Sequence, residues 1–93
     1  MPLFRCLIRG DNFSGKLIGK KKPIGFYTTR FVEAETSKEA ELLALELLKN
    51  DPNLEVAPKY RTEDARVFFE KIDEVPQDTK RVPNNGFTFF LDT

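Results

Sequence analysis

The chain has 93 residues, of which 40% are hydrophobic and 32% charged, and its formal net charge is zero. This length allows one small domain with a thin core, and the composition is too apolar for a disordered chain. With no histidine and one cysteine, Cys6, the sequence excludes histidine-based catalysis, cysteine-rich zinc sites and an internal disulfide, so we expect neither a cofactor nor enzyme activity.

The first third of the chain predicts two strands joined by a loop. Leu3–Arg9 alternates between the two sides of an extended chain and ends at Gly10. Gly25–Ala34 is rich in β-branched and aromatic residues, which favours a second strand. The residues between them include two further glycines and Pro23, which predict a loop rather than a helix.

The next segment predicts a helix over residues 36–50. Thr36 and Glu39 form a capping-box pattern, in which each side chain satisfies the backbone amide of the other residue. Asp51-Pro52 ends the helix. Five apolar residues have helical spacing and predict one buried stripe, namely Ala40, Leu43, Ala44, Leu47 and Leu48. Leu42 and Leu45 fall outside this stripe and are expected to point outward.

The last third of the chain predicts two more strands. Val67–Val75 and Gly86–Asp92 are rich in β-branched and aromatic residues, and an Asn-Asn-Gly turn sequence introduces the second of them. Residues 51–66 contain two prolines and show no clear period. They predict a long connection that is functional or hides a short element.

The predicted element order is β-β-α-β-β. It indicates a single α+β domain over residues 1–93, in which a four-stranded mixed or antiparallel sheet carries one helix on one face, as in half of a ferredoxin-like sandwich. The strands that flank the helix are expected to run parallel through a right-handed crossover. The first and last strands are expected to be outer strands added antiparallel.

Both sides of the predicted strands carry large apolar residues, whereas a sheet with one wet face shows polar residues on that side. One helix covers only one face, so we expect a homodimer or another protein to cover the second face. The residues expected at this interface are Tyr27, Phe31, Phe68 and Ile72, with Leu42 and Leu45 of the helix as a second contact. The function predicted on this basis is that of a non-enzymatic interaction or regulatory module.

Four lysines in the first loop make an anion-binding site the main alternative, and they are Lys16, Lys20, Lys21 and Lys22. Residues 1–30 carry seven Lys or Arg and one acid, a net charge of +6, whereas residues 31–93 carry eight and fourteen, a net charge of −6. We expect the two parts to neutralise each other on folding; otherwise the basic part binds an anionic ligand or an RNA backbone. The balanced total charge favours a protein partner over nucleic acid.

The same loop contains most of a nucleotide-binding P-loop pattern. Gly10–Lys16 matches G-x-x-x-x-G-K, but Leu17 stands where a P-loop has the Ser or Thr that binds magnesium. Gly19 and Pro23 also prevent the helix that follows a working P-loop. The sequence therefore predicts an ordinary loop here.

Gly86–Phe90 resembles the core of the strand motif of RNA-recognition domains, whose exposed rings stack on bases. The resemblance covers the G-F-x-F core, while Asn85, Thr88 and Asp92 replace the basic, small and aromatic residues of that motif. The favoured interpretation is an aromatic edge or core strand.

The N-terminal apolar residues are interrupted by Arg5 and Arg9, so the sequence predicts no signal peptide. No later apolar run is long enough to cross a bilayer, and we expect no contact with a membrane. Cys6 lies in an alternating strand and is expected to be a buried thiol, which suits the reducing cytoplasm.

Overall fold

The computed structural model of the chain describes residues 1–51, 54, 65–81 and 87–91. In chain order these form β1 (Leu3–Phe13), a short 3-10 helix (Gly15–Ile18), β2 (Ile24–Glu33), α1 (Ser37–Lys49), β3 (Arg66–Val75) and β4 (Phe87–Leu91). The predicted α+β order of elements is confirmed. Most of the predicted connection 51–66 lies outside the described residues, as do Gly86 and Asp92 at the ends of the predicted last strand.

The four strands form one antiparallel sheet in the order β3-β1-β2-β4. β2 and β3 run in the same direction, as predicted, but β1 lies between them and pairs antiparallel with both. The prediction that β1 is an outer strand is therefore wrong. A local loop joins β1 to β2, and the two strands pair along nearly the whole length of β1. β3 then pairs with the second edge of β1 rather than with an edge of β2.

Local sequence signals set both ends of α1. Thr36 is the N-cap, and its hydroxyl accepts a hydrogen bond from the Glu39 amide at 3.2 Å. At the other end Asn50 is the C-cap and Lys49 lies in the last turn, where its charge is favourable to the helix dipole. The helix predicted over residues 36–50 is confirmed. None of the helices formed by the described residues combines the length and apolarity needed to span a bilayer.

The core lies between α1 and the sheet. The helix contributes Ala40, Ala44 and Leu48, which pack against Cys6 and other apolar residues of β1 and β2. These three positions follow an i, i+4, i+8 line, and the two alanines allow the helix to approach the sheet closely. The predicted stripe is partly wrong, because the helix turns Leu43 and Leu47 toward solvent at the rim of this contact.

A β-bulge in β3 changes which side of the sheet its residues occupy. Leu7 is paired with Lys71, but the next residue of β1, Ile8, is paired with Phe69, so Glu70 is the extra residue. Simple alternation places Phe68 and Ile72 on one face of the sheet. The bulge places them on opposite faces, with Ile72 packed against the core on the α1 side.

The side of the sheet away from α1, here called the open face, is partly covered. Leu3 and Phe31 lie on this face but are buried. The chain after β3 passes the end of the sheet at which Leu3 and Phe31 lie. There the Gln77 side chain donates a hydrogen bond to the Met1 carbonyl, and the Arg81 guanidinium contacts the Glu33 carboxylate at 2.9 Å. This path takes the chain from the β3 side of β1 to its β2 side, at the end of the open face where Leu3 and Phe31 lie.

Candidate functional site

The opposite end of the open face carries exposed apolar side chains around one arginine. Leu7, Tyr27 and Phe68 are 39%, 41% and 42% exposed. Arg9 of β1 lies between its cross-strand partners Tyr27 on β2 and Phe68 on β3. The ring of Tyr27 also lies 5.4 Å from that of Phe90 on β4. We call Leu7, Arg9, Tyr27 and Phe68 the open-face patch.

Arg9 is held in place by three contacts. Its guanidinium lies over the Phe68 ring at 4.8 Å from the centroid. It also contacts the carboxylates of Glu70 at 2.8 Å and Asp11 at 3.3 Å. Glu70 reaches Arg9 as the extra residue of the β3 bulge, so the bulge builds part of this patch.

Ion pairs beside the patch balance its charge. Arg5 and Lys71 each contact Asp73 at 3.6 Å. The pairs Arg5–Asp73 and Arg9–Glu70 join cations of β1 to acids of β3, as expected if the basic and acidic parts of the chain neutralise each other. The open face therefore carries a mosaic of both charges beside its apolar side chains.

The residues predicted for the sheet interface are not brought together as one surface. Tyr27 and Phe68 share the open-face patch, but Phe31 is only 6% exposed beneath the covered end of the open face. Ile72 lies on the α1 side because of the bulge in β3. Leu7 also belongs to the patch. Alternation placed it on this side of β1, but its apolar sequence neighbours, Cys6 and Ile8, gave no sign that it is exposed.

The outer surface of α1 carries a second group of exposed leucines. Leu42 is 61% exposed and Leu45 is half-buried. Leu43 and Leu47, at 41% and 47%, line a shallow groove of about 280 Å³ together with Val32 of β2. The remaining lining residues of this α1–β2 groove are Glu33, Glu46 and Asn50.

The lysine loop between β1 and β2 is exposed at all four lysines, which are Lys16, Lys20, Lys21 and Lys22. The glycines that suggested a P-loop serve packing instead. A Cβ on Gly10 would lie 2.1 Å from the Phe26 ring, and one on Gly15 would lie 2.1 Å from the backbone oxygen of Lys22. The turn closes at Gly19, whose φ of 71° suits glycine.

Sequence reasoning missed a buried arginine on the α1 side of β2. Arg30 is 2% exposed and contacts the carboxylate of Asp51 at 3.0 Å. It also donates to the Thr28 hydroxyl and the Thr29 carbonyl, and its guanidinium lies over the Phe87 ring at 4.9 Å. Burial lowers the pKa of Arg30, and the nearby Asp51 carboxylate opposes this effect. One signal was available in the sequence. Alternation along β2 places Arg30, the last residue of a Thr-Thr-Arg sequence, on the side of the strand that faces inward.

The single thiol is poorly suited to nucleophilic chemistry. Cys6 is buried in the core, and burial raises its pKa to about 11, with a further contribution from the Glu41 carboxylate. A thiol of this kind is protonated at neutral pH. Over the described parts of the chain, no three Cys, Asp or Glu side chains are grouped in a way that would hold a metal ion.

The rings of β4 mostly face the core. Phe87 and Phe89 lie on the α1 side and make edge contacts with the buried Phe26 ring at 5.3 and 6.2 Å. β4 is thus an aromatic edge strand, which was the favoured interpretation of this sequence. Of its rings, that of Phe90 lies on the open face, where it contacts Tyr27 and covers Gly25.

Three features of the described residues remain as candidates for function: the open-face patch, the α1–β2 groove and the lysine loop. The first two expose apolar side chains, and the third exposes cations. No protein-family profile matches the chain, and comparisons with curated proteins and with solved structures find no significant match.

Proposed function

We propose that the protein is a non-enzymatic interaction module that forms a homodimer through the open-face patch. The observation that supports this proposal is the set of apolar side chains, each about two-fifths exposed, that surround Arg9. Tyr and Arg are the residue types most enriched at energetic centres of protein interfaces, and large rings release the most free energy on burial.

The charge balance of the open face favours a second copy over nucleic acid. In a two-fold contact the same surface meets itself, so a patch with one sign of charge would repel its copy. Arg5, Arg9 and Lys71 are each within 4 Å of an acid, which gives a mosaic that complements itself after rotation. Nucleic acid requires an excess of cations to replace its counterions, and the described residues of this face offer none.

The chemistry of the chain supports a role without catalysis. It contains no histidine, and Cys6 is buried with a raised pKa. We therefore propose no cofactor, and we place the protein in the cytoplasm, where a lone buried thiol stays reduced. The split β-α-β arrangement of β2, α1 and β3 around β1 supports the description of the fold as half of a ferredoxin-like sandwich.

Sedimentation equilibrium or light scattering over a dilution series tests the proposed dimer. We expect a mass of two chains at high concentration, and Phe68→Glu should weaken the dimer at least about tenfold because burial of a Phe side chain contributes ~1.5–3 kcal/mol. Leu42→Glu changes an exposed apolar residue of α1, where the sequence predicted a second contact, and it is the matched control: a dimer formed through the open-face patch alone keeps its mass in this variant. A wild-type chain that stays monomeric throughout would refute the proposal.

A second candidate function is binding of an anionic ligand by the lysine loop, supported by the exposure of Lys20, Lys21 and Lys22 side by side. Within residues 1–51, 54, 65–81 and 87–91 no carboxylate pairs with these three ammonium groups. Affinity for a short polyphosphate or oligonucleotide should fall steeply with salt, and changing the three lysines to glutamate should abolish it. Binding that is unaffected by salt and by the three substitutions would show that the lysine loop is not the binding site.

A further inference from the structure

We infer that the α1–β2 groove binds a basic amphipathic segment of another protein. This surface is separate from the open-face patch, because α1 covers the other side of the sheet. The inference therefore goes beyond the proposed dimer and does not depend on it. It rests on the groove's apolar walls, its shallow shape and the charge of its rim.

The walls of the groove fit apolar side chains. Leu43 and Leu47 are one helical turn apart and nearly half exposed, and Val32 forms the floor beside them. A volume of about 280 Å³ in an open depression is too small and too shallow to enclose a typical small-molecule ligand. It accommodates the apolar side chains that a partner helix or strand presents along one edge.

The rim of the groove carries an exposed carboxylate. Glu46 lines the groove on the outer side of the two leucines, and its carboxylate accepts a hydrogen bond from the Asn50 side chain at 3.3 Å. Glu33 also lines the groove, but its carboxylate contacts Arg81, so Glu46 supplies the charge of the rim. The lysines of α1, Lys38 and Lys49, fall on the side of the helix away from the sheet, so a lysine or arginine of a partner meets Glu46 here.

Two designed peptides with identical leucines at i, i+3, i+4 and i+7 serve as probes, one with lysines and one with glutamates at the remaining positions. Fluorescence anisotropy with the full chain should show the lysine peptide binding at least about tenfold more tightly than the glutamate peptide at low salt. The variant Glu46→Lys should reverse this preference. Equal binding of both peptides, or no binding of either, would overturn the inference.

Matched leucine variants locate the binding surface. Leu47→Ser should weaken the lysine peptide at least about tenfold, whereas Leu42→Ser, on the same helix but outside the groove, should leave it unchanged. Both residues are exposed, so both variants should keep the wild-type circular dichroism spectrum. An equal loss in the two variants would show non-specific apolar binding and overturn the inference. A fall in oligomer mass on Leu47→Ser would assign the groove to a second copy and also overturn it.

Discussion

The buried pair formed by Arg30 and Asp51 allows the sharpest test of how this fold is held together. The two side chains are 3% and 12% exposed and lie 3.0 Å apart. Asp51 follows the C-cap of α1 and Arg30 belongs to β2, so the pair joins the end of the helix to the sheet. Asp51→Asn keeps the shape of the side chain but removes its charge, which leaves the guanidinium buried without its counter-ion.

Removal of one partner from a buried ion pair costs about 3–5 kcal/mol, because the remaining charge stays out of water. We expect Asp51→Asn to lower the free energy of unfolding by about 3 kcal/mol, which is a large part of the ~5–14 kcal/mol expected for a chain of this length. Asp73→Asn is the matched control. Its pairs with Arg5 and Lys71 are both 3.6 Å long, and the three side chains are 32–66% exposed, so we expect a loss of at most about 1 kcal/mol.

Equilibrium unfolding in urea, followed by circular dichroism, measures both losses. The double variant Arg30→Met with Asp51→Leu should recover part of the stability lost in Asp51→Asn, because no unpaired charge remains buried. Equal losses in Asp51→Asn and Asp73→Asn would refute the reasoning, since burial would then make no difference to the pair. A double variant as unstable as Asp51→Asn would show that packing, rather than charge, sets the cost.

Three further predictions concern the core and the helix end. Gly10→Ala should cost about 1–3 kcal/mol in the same urea assay, because the new methyl group overlaps the Phe26 ring; an unchanged midpoint would contradict the close approach. Folding raises the pKa of Cys6 to about 11, so this thiol should leave the free energy of unfolding unaffected below about pH 8.5 and should lower it as the pH rises toward 11; a Cys6→Ala variant should lack that part of the alkaline fall. Thr36→Ala removes the acceptor for the Glu39 amide and should destabilise the protein by about 1 kcal/mol, whereas a loss below the error of the assay would show that the cap is dispensable.

The elements of this fold were largely predictable because their signals are local. The cap at Thr36 and the stop at Asp51-Pro52 define α1 within one residue at each end. Alternation and β-branched residues located all four strands, although β1 continues past the predicted end at Arg9 to Phe13. A bulge between Gly10 and Phe13 and a positive φ at Asn12 keep the strand paired there, where the sequence predicted a loop.

The candidate site was only partly predictable, because it depends on register. Tyr27 and Phe68 were expected on the uncovered face and lie there beside Arg9. A single extra residue, Glu70, moves Ile72 to the other face, and such a slip has no clear signal in one sequence. The exposure of Leu43 and Leu47 likewise depends on how α1 is rotated about its axis, because this rotation decides which of its side chains contact the sheet.

By itself, the sequence determined the number and order of the elements, the ends of the helix, and the absence of histidine chemistry. Those properties depend on backbone preferences and side chains within a few residues of each other. Only the tertiary structure decided that β1 lies inside the sheet, that Phe31 is covered while Tyr27 is exposed, and that Arg30 meets Asp51. These outcomes join residues far apart in the chain, and the free energy that selects them comes from the fit between surfaces that exist only after folding.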